Sequence, residues 1–284
     1  VLSHKVFGGW LPTITTEKVS GLLVHTCEPL TRRFDEVITF GAGLSMGGWV
    51  FEDVMKHLAV AGYKTRAVTF RGHTGSRRVE DVGNLTIENY AEDWATIVDH
   101  YDEDVITAAH SMAGLVAPKV AKEYSKVKGH ISMASAPPRG VISGTEMLRY
   151  VGPHLKNIFG CRPVVLDYMA VANLFYNRSE TTEMVSGFHK LCPESGRVIR
   201  EIITMKHSMP KLSCPVLSVA GKYDVITPHQ RRLSHQLGAT DENIVVMESD
   251  HMLPKRSTAG ELASVIDRWV TSGFNLGVEM KQAA

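Results

Sequence analysis

Val105-Ile106-Thr107-Ala108-Ala109-His110-Ser111-Met112-Ala113-Gly114 is the stretch whose reading decides the fold. Its first four residues are β-prone, and the residues beyond Ser111 read as a helix with Leu115, Val116, Val120 and Tyr124 on its inner face. Strand meets helix with no room for a loop. Such a junction needs a sharp turn at the serine, and side chains two before and two after it collide unless they are small. Ala109 and Ala113 hold those places, so the segment is a G-x-S-x-G elbow with alanine for both glycines. A serine that merely N-caps the helix is the plainer alternative.

Working outward, further strands are predicted at Val37–Phe40, Thr65–Phe70, His130–Met133, Val216–Ala220 and Asn243–Met247. Helical spacing lies between and after them: Val50, Phe51, Val54, Met55 and Leu58 before Gly62; Ile87 to Tyr101 with Tyr90, Trp94, Ile97 and Val98 on one side; and Leu262, Val265, Ile266 and Trp269 at the end. This alternation predicts an α/β fold, with a mostly parallel central sheet and helices on both faces. Sites in such sheets lie beyond the carboxyl ends of the strands. Between Pro137 and Pro210 the pattern changes to helix-like pieces at Met147–Tyr150, Val164–Phe175, Glu183–Leu191 and Arg197–Met205. We expect a core of residues 1–136 and 210–284 and a helical cap, or lid, of residues 137–209, since a loop of that length without structure is uncommon. Two ordinary crossover helices with long loops are the alternative.

Lys plus Arg number 31 against 30 for Asp plus Glu, and this balance gives no electrostatic reason to expect nucleic acid or an anionic membrane as partner. No apolar run approaches the ~18 residues of a membrane span, and Val1–Trp10 lacks the charged start and apolar core of a signal peptide. Cys27, Cys161, Cys192 and Cys214 are scattered with no C-x-x-C, which reads as free thiols in a reducing, cytoplasmic setting. No H-E-x-x-H, metal-spaced His/Cys cluster, G-K-[ST] or complete G-x-G-x-x-G occurs, so neither a metal nor a cofactor is expected.

Several segments together resemble the α/β-hydrolase superfamily, in its esterase and lipase-like branch. His110-Ser111-Met112-Ala113-Gly114 is similar to that family's H-S-M-G-G, and Arg71-Gly72-His73-Thr74-Gly75-Ser76 to its R-G-H-G-x-S loop. Gly221-Lys222-Tyr223-Asp224-Val225-Ile226-Thr227-Pro228 resembles the G-x-x-D-x-x-x-P that carries the acid, and Ser249-Asp250-His251 stands where the family places its histidine. Phe40-Gly41-Ala42-Gly43 occupies the place of the His-Gly oxyanion loop. The resemblance runs from about Val37 to Trp269 in the family's order of nucleophile, acid, histidine.

It implies a triad of Ser111, Asp224 and His251. His251 would act as the base that frees the serine oxygen, Asp224 as the group that orients it. The oxyanion donors would be the backbone N–H groups of Met112 and Ala42. Glu248 and Asp250 are alternative acids, although immediate neighbours on an extended chain point apart. His73 reads as a loop brace and His110 as packing beside the elbow. Phe40 stands where the family commonly has a bracing histidine, so the support of the oxyanion loop differs here. Pro118 should interrupt one hydrogen bond of the helix that follows the elbow.

The expected reaction is hydrolysis of a small, apolar carboxylic ester through an acyl-enzyme. Met147, Leu148, Ile158, Phe159, Leu166, Tyr168, Met169, Leu174, Phe175 and Phe188 would line an acyl or alcohol pocket or else glue the cap to the core. Thioesterase, lactonase, perhydrolase or cofactor-free C–C hydrolase chemistry on the same triad is one alternative. A ligand-binding protein without turnover is another.

Overall fold

Runs rich in Val, Ile and Thr pair into an eight-stranded sheet in the order Ile14–Val19, Leu22–Cys27, Thr65–Thr69, Val37–Gly41, Val105–His110, Val127–Met133, Val216–Gly221, Ile244–Met247. The protein is described by a computed structural model over residues 12–139, 149–204, 206–226 and 230–277. Six parallel strands form the body: β3 (Val37–Gly41), β4 (Thr65–Thr69), β5 (Val105–His110), β6 (Val127–Met133), β9 (Val216–Gly221) and β10 (Ile244–Met247). β3 to β6 are predominantly buried, as strands covered on both faces must be.

β1 (Ile14–Val19) and β2 (Leu22–Cys27) extend one edge in antiparallel register, and neither is foreseen in the sequence. The physical reason is visible in β1: Thr15, Thr16, Glu17 and Lys18 are exposed, so an outer strand carries no apolar run to read.

Two helical layers cover the sheet. α1 (Glu52–Ala61) and α9 (Arg256–Thr271) bury Val54, Met55, Leu58, Leu262, Ile266 and Trp269 in one core. α2 (Ile87–Tyr101), α3 (Ala113–Glu123) and α8 (Gln230–Leu237) build the other. α2 has the bounds that the sequence predicts. Thr86 caps it by accepting from Asn89 N (3.2 Å), while the Asn89 side chain accepts from Thr86 N (3.1 Å). Pro118 lies buried inside α3.

Between β6 and β9 the described chain adds no strand to the large sheet. It forms α4 (Leu155–Phe159), α5 (Tyr168–Leu174), α6 (Thr181–Phe188) and α7 (Gly196–Ile203). A short pair, β7 (Pro163–Val164) with β8 (Glu194–Ser195), stands apart, where no β pairing is expected from the sequence. Of the helix expected over Val164–Phe175, the structure forms Tyr168–Leu174, and Val164 belongs to β7 instead. The expected apolar pocket residues divide. Ile158, Leu174 and Phe175 are buried, whereas Phe159, Tyr168 and Met169 are exposed. Met147, Leu148, Met205, Thr227, Pro228 and Val1–Trp10 lie outside the described residues.

Trp94 joins this scaffold to the site. Its indole N–H donates to Thr39 Oγ1 (3.1 Å), and a Cβ on Gly41 would stand 2.2 Å from its ring. Gly41 is therefore required by close approach, not by an unusual backbone angle. Trp94→Ala should leave a cavity under β3 and lower the unfolding free energy by about 3–5 kcal/mol, read from urea denaturation.

Candidate active site

β5 ends at His110 and α3 begins at Ala113, which leaves Ser111 and Met112 to make the turn. Ser111 takes φ +53°, the left-handed region that an L-residue occupies only at a cost of ~1–3 kcal/mol. Neighbouring backbone holds it there. Ser111 N donates to Met133 O (3.0 Å), and Ser111 O accepts from Gly114 N and Ala136 N (both 2.9 Å). A side chain on Gly114 would meet Ser135 Oγ at 1.8 Å, so that glycine is a packing requirement. Met112 is the N-cap of α3, so its N–H has no acceptor within the helix and the dipole there favours negative charge.

The chain beyond β9 and β10 supplies the partners. His251 Nε2 lies 2.8 Å from Ser111 Oγ, and His251 Nδ1 lies 2.9 Å from Asp224 Oδ2. A carboxylate only accepts, so Nδ1 carries the proton and Nε2 is left to accept from the hydroxyl. Asp224 is oriented in turn by Ile226 N, which donates to its Oδ1 (2.8 Å). Phe175 stacks on the imidazole, with centroids 5.6 Å apart, and Met252 N donates to Phe175 O. Ser111 is 6% exposed and His251 fully buried. A cleft of about 530 Å³ between α1, α6 and the start of α9, lined by residues such as Lys56, Glu183 and Arg256, does not include the serine.

The two alternative acids are engaged elsewhere. Asp250 is buried with Lys255, whose Nζ donates to Oδ1 (2.6 Å), and its Oδ2 accepts from Ser179 Oγ and Arg178 N. Glu248 is exposed and bonds to Lys222 and Tyr223. Neighbours in sequence thus face opposite ways.

His110 packs beside the elbow as expected and adds a bond. Its Nε2–H donates to the carbonyl of His251 (2.9 Å), fixing the backbone that carries that ring. Burial, aided by the nearby His251, pushes His110 down to about 3, so it is neutral.

The loop after β3 passes close to the serine. A Cβ on Gly43 would lie 2.9 Å from Ser111 Cβ and 3.3 Å from its Oγ. Phe40, in place of the family's histidine, is buried against Phe51 and has no polar atom to offer the loop. Polar support comes from Glu194 of β8, which accepts from Ser45 N at 2.8 Å. Nothing in the sequence around Glu194 flagged it; only the pairing of His73 and Glu194 in space does (3.2 Å).

Glu88, Glu201 and His207 bring ligand-type atoms within 4.8 Å of one another, a grouping their sequence spacing does not reveal. Cations already serve both carboxylates: Lys119 pairs with Glu88 and Lys206 with Glu201. The cluster is an ion-pair knot that fastens α7 to α2.

Residues 22–265 match the profile of the alpha/beta hydrolase family. The chain belongs to that family. Among curated proteins none matches it in sequence. Solved structures share the fold at low identity. A thermophilic esterase from Thermogutta terrifontis superposes with TM-score 0.66 at 17% identity, covering 93% of this chain and 98% of that one. A monoacylglycerol lipase from Paleococcus ferrophilus gives 0.65 at 19%, covering 88% and 98%. An N-acyl homoserine lactonase gives 0.65 at 12%, covering 92% and 97%.

Two measurements follow from these surroundings. Asp250→Ala strands Lys255 in the interior and should cost about 3–5 kcal/mol in a denaturation experiment. His130 is likewise pushed down to about 3, by burial alone. The unfolded chain protonates His110 and His130 below ~6.5 while the native protein does not, so stability falls as pH drops through that window toward 3. His130→Asn should flatten that decline in urea midpoints between pH 6.5 and 4.

Proposed function

We propose that the protein is a serine hydrolase that cleaves a small, apolar carboxylic ester through an acyl-enzyme. The observation that carries this reading is the hydrogen-bonded chain Ser111–His251–Asp224, with its serine at a left-handed turn between strand and helix.

Ser111 Oγ attacks the ester carbonyl and gives its proton to His251 Nε2. The carbonyl oxygen becomes an oxyanion, held by the backbone N–H groups of Met112 and Ala42. The leaving alkoxide takes that proton from Nε2 and departs as alcohol. Water then repeats the sequence: His251 takes its proton as it attacks the acyl carbonyl, the carboxylic acid departs, and Nε2 gives that proton to Ser111 Oγ. Asp224 keeps the proton on Nδ1 and stabilises the imidazolium as it forms. The side-chain chemistry needs no cofactor.

Residues 1–136 and 210–284 serve as the hydrolase core and residues 137–209 as a cap. Two observations support the cap: Phe175 from the insert lies on the His251 ring, and the serine is nearly enclosed. An apolar substrate is favoured by Phe175 and Met252, both buried at the histidine. No helix among the described residues is long and apolar enough to cross a membrane. The four cysteines are free, which supports a reducing, cytoplasmic compartment.

Ser111→Ala should lower hydrolysis of p-nitrophenyl acetate at least ~10³-fold and abolish fluorophosphonate labelling, with an unchanged circular dichroism spectrum. Asp224→Asn should lower kcat by ~10⁴-fold, because the amide favours the wrong imidazole tautomer. Full turnover in Ser111→Ala would refute the reading. A panel of ester, thioester, lactone and β-diketone substrates separates esterase action from the other chemistries open to this triad.

A further inference from the structure

Ser45 is the strained point of the loop beside the nucleophile. Its φ is +64°, and Met46 N donates to Gly43 O (3.3 Å), so residues 43–46 form a turn with a positive angle at its third position. Glycine or asparagine is usual there. A serine persists in such a backbone only where its surroundings impose it.

Both backbone groups of Ser45 are held by the insert. Its N–H donates to Glu194 Oε2 (2.8 Å), and its carbonyl accepts from Cys192 N (3.0 Å). Glu194 has no solvent exposure. Its Oε1 accepts from Tyr90 Oη–H and from Ser195 N (both 2.7 Å), while Oε2 is shared between Ser45 N and His73 Nε2. Burial opposes charge on both members of the His73–Glu194 pair. The partner's opposite charge and hydrogen bond prevail, holding His73 above its ordinary value and Glu194 below. The carboxylate is therefore ionised, and its two oxygens take four donors, all the lone pairs a carboxylate offers.

We propose that Glu194 is a positioning residue for the oxyanion loop: its buried carboxylate, delivered by the insert, holds Ser45 N–H and so sets the Gly43–Met46 turn against Ser111. The inference rests on the serine-hydrolase reading above. Its geometric basis is the narrow gap at Gly43, where an added Cβ would already touch Ser111. A shift of a few tenths of an ångström at Ser45 is passed through two residues to the loop that carries the Ala42 N–H. The oxyanion of the transition state feels that shift more than the bound ester does. The consequence is a kcat effect. The insert, moreover, cannot lift at β8 without releasing the loop, which ties docking of the insert to assembly of the site.

The test uses the full chain. Wild type, Ser111→Ala, Glu194→Gln and Glu194→Ala are compared for kcat and KM on p-nitrophenyl acetate. Active sites are counted by fluorophosphonate titration, so that misfolded protein drops out. Glutamine keeps the shape but replaces one acceptor by a donor that faces Ser195 N–H or Ser45 N–H. The expected result is a fall in kcat per titrated serine of at least ~10-fold for glutamine and ~100-fold for alanine, with KM within about two-fold. Wild-type kcat per titrated serine in Glu194→Ala, which leaves Ser45 N–H with no acceptor on this side chain, overturns the proposal, whatever the loss of thermal stability, since a purely structural role moves only the count of sites. The control separates the two failures. If Ser111→Ala is inactive while Glu194→Ala has normal kcat, only this inference falls. If Ser111→Ala turns over, the serine-hydrolase reading falls and this one with it.

Discussion

The constraint on which the molecule depends is the left-handed backbone of Ser111. A residue with a side chain pays to stand at φ +53°, and nothing in β5 or α3 alone repays that cost. The repayment comes from β6 and the chain after it. Met133 O and Ala136 N grip the two sides of Ser111, and Ala134 N reaches on to Val219 O in β9. Parallel pairing of β5 with β6 is thus what lets a short strand–helix turn hold its strain. The turn in turn aims the hydroxyl out of the sheet toward the segment that carries His251.

The insert is fastened to the core by a repeated device. Three of its carboxylates cap backbone N–H groups of the core: Glu201 on Ile87 N at the start of α2, Glu183 on Ser257 N at the start of α9, and Glu194 on Ser45 N. Two of these lie where helix dipoles favour negative charge. The same acids also find cations or hydroxyls, so none is left buried and unpaired. Apolar contact adds to this through Phe175 on His251. The insert is therefore positioned by directional bonds, which fix register, as well as by burial, which does not.

Much of the core was legible because parallel strands covered on both faces are rich in Val, Ile, Ala and Thr, and α2 announces its own start through Thr86 and Asn89. Ser111, Asp224 and His251 were singled out by their order and their place after strands, and the structure brings their side chains within hydrogen-bond distance of one another. β1 escaped because an outer strand can be polar. The insert escaped in detail because its helices are only five to eight residues long, too short for periodicity to assign a face: Ile158 is buried and Phe159 beside it exposed. Glu194 and His73 could not be paired from sequence, since only folding brings β8 beneath the loop after β3.

By itself, the order of residues along the chain determined which side chains reach the carboxyl edge of the sheet, because strand direction and right-handed crossovers leave little freedom. Tertiary structure decided what each of them meets there. Asp224 and Asp250 are chemically alike, and Asp250 is the closer in sequence to His251. Yet Asp224 faces the imidazole while Asp250 turns to Lys255. Through-space distance and direction govern hydrogen bonds and ion pairs, and neither is written in sequence separation.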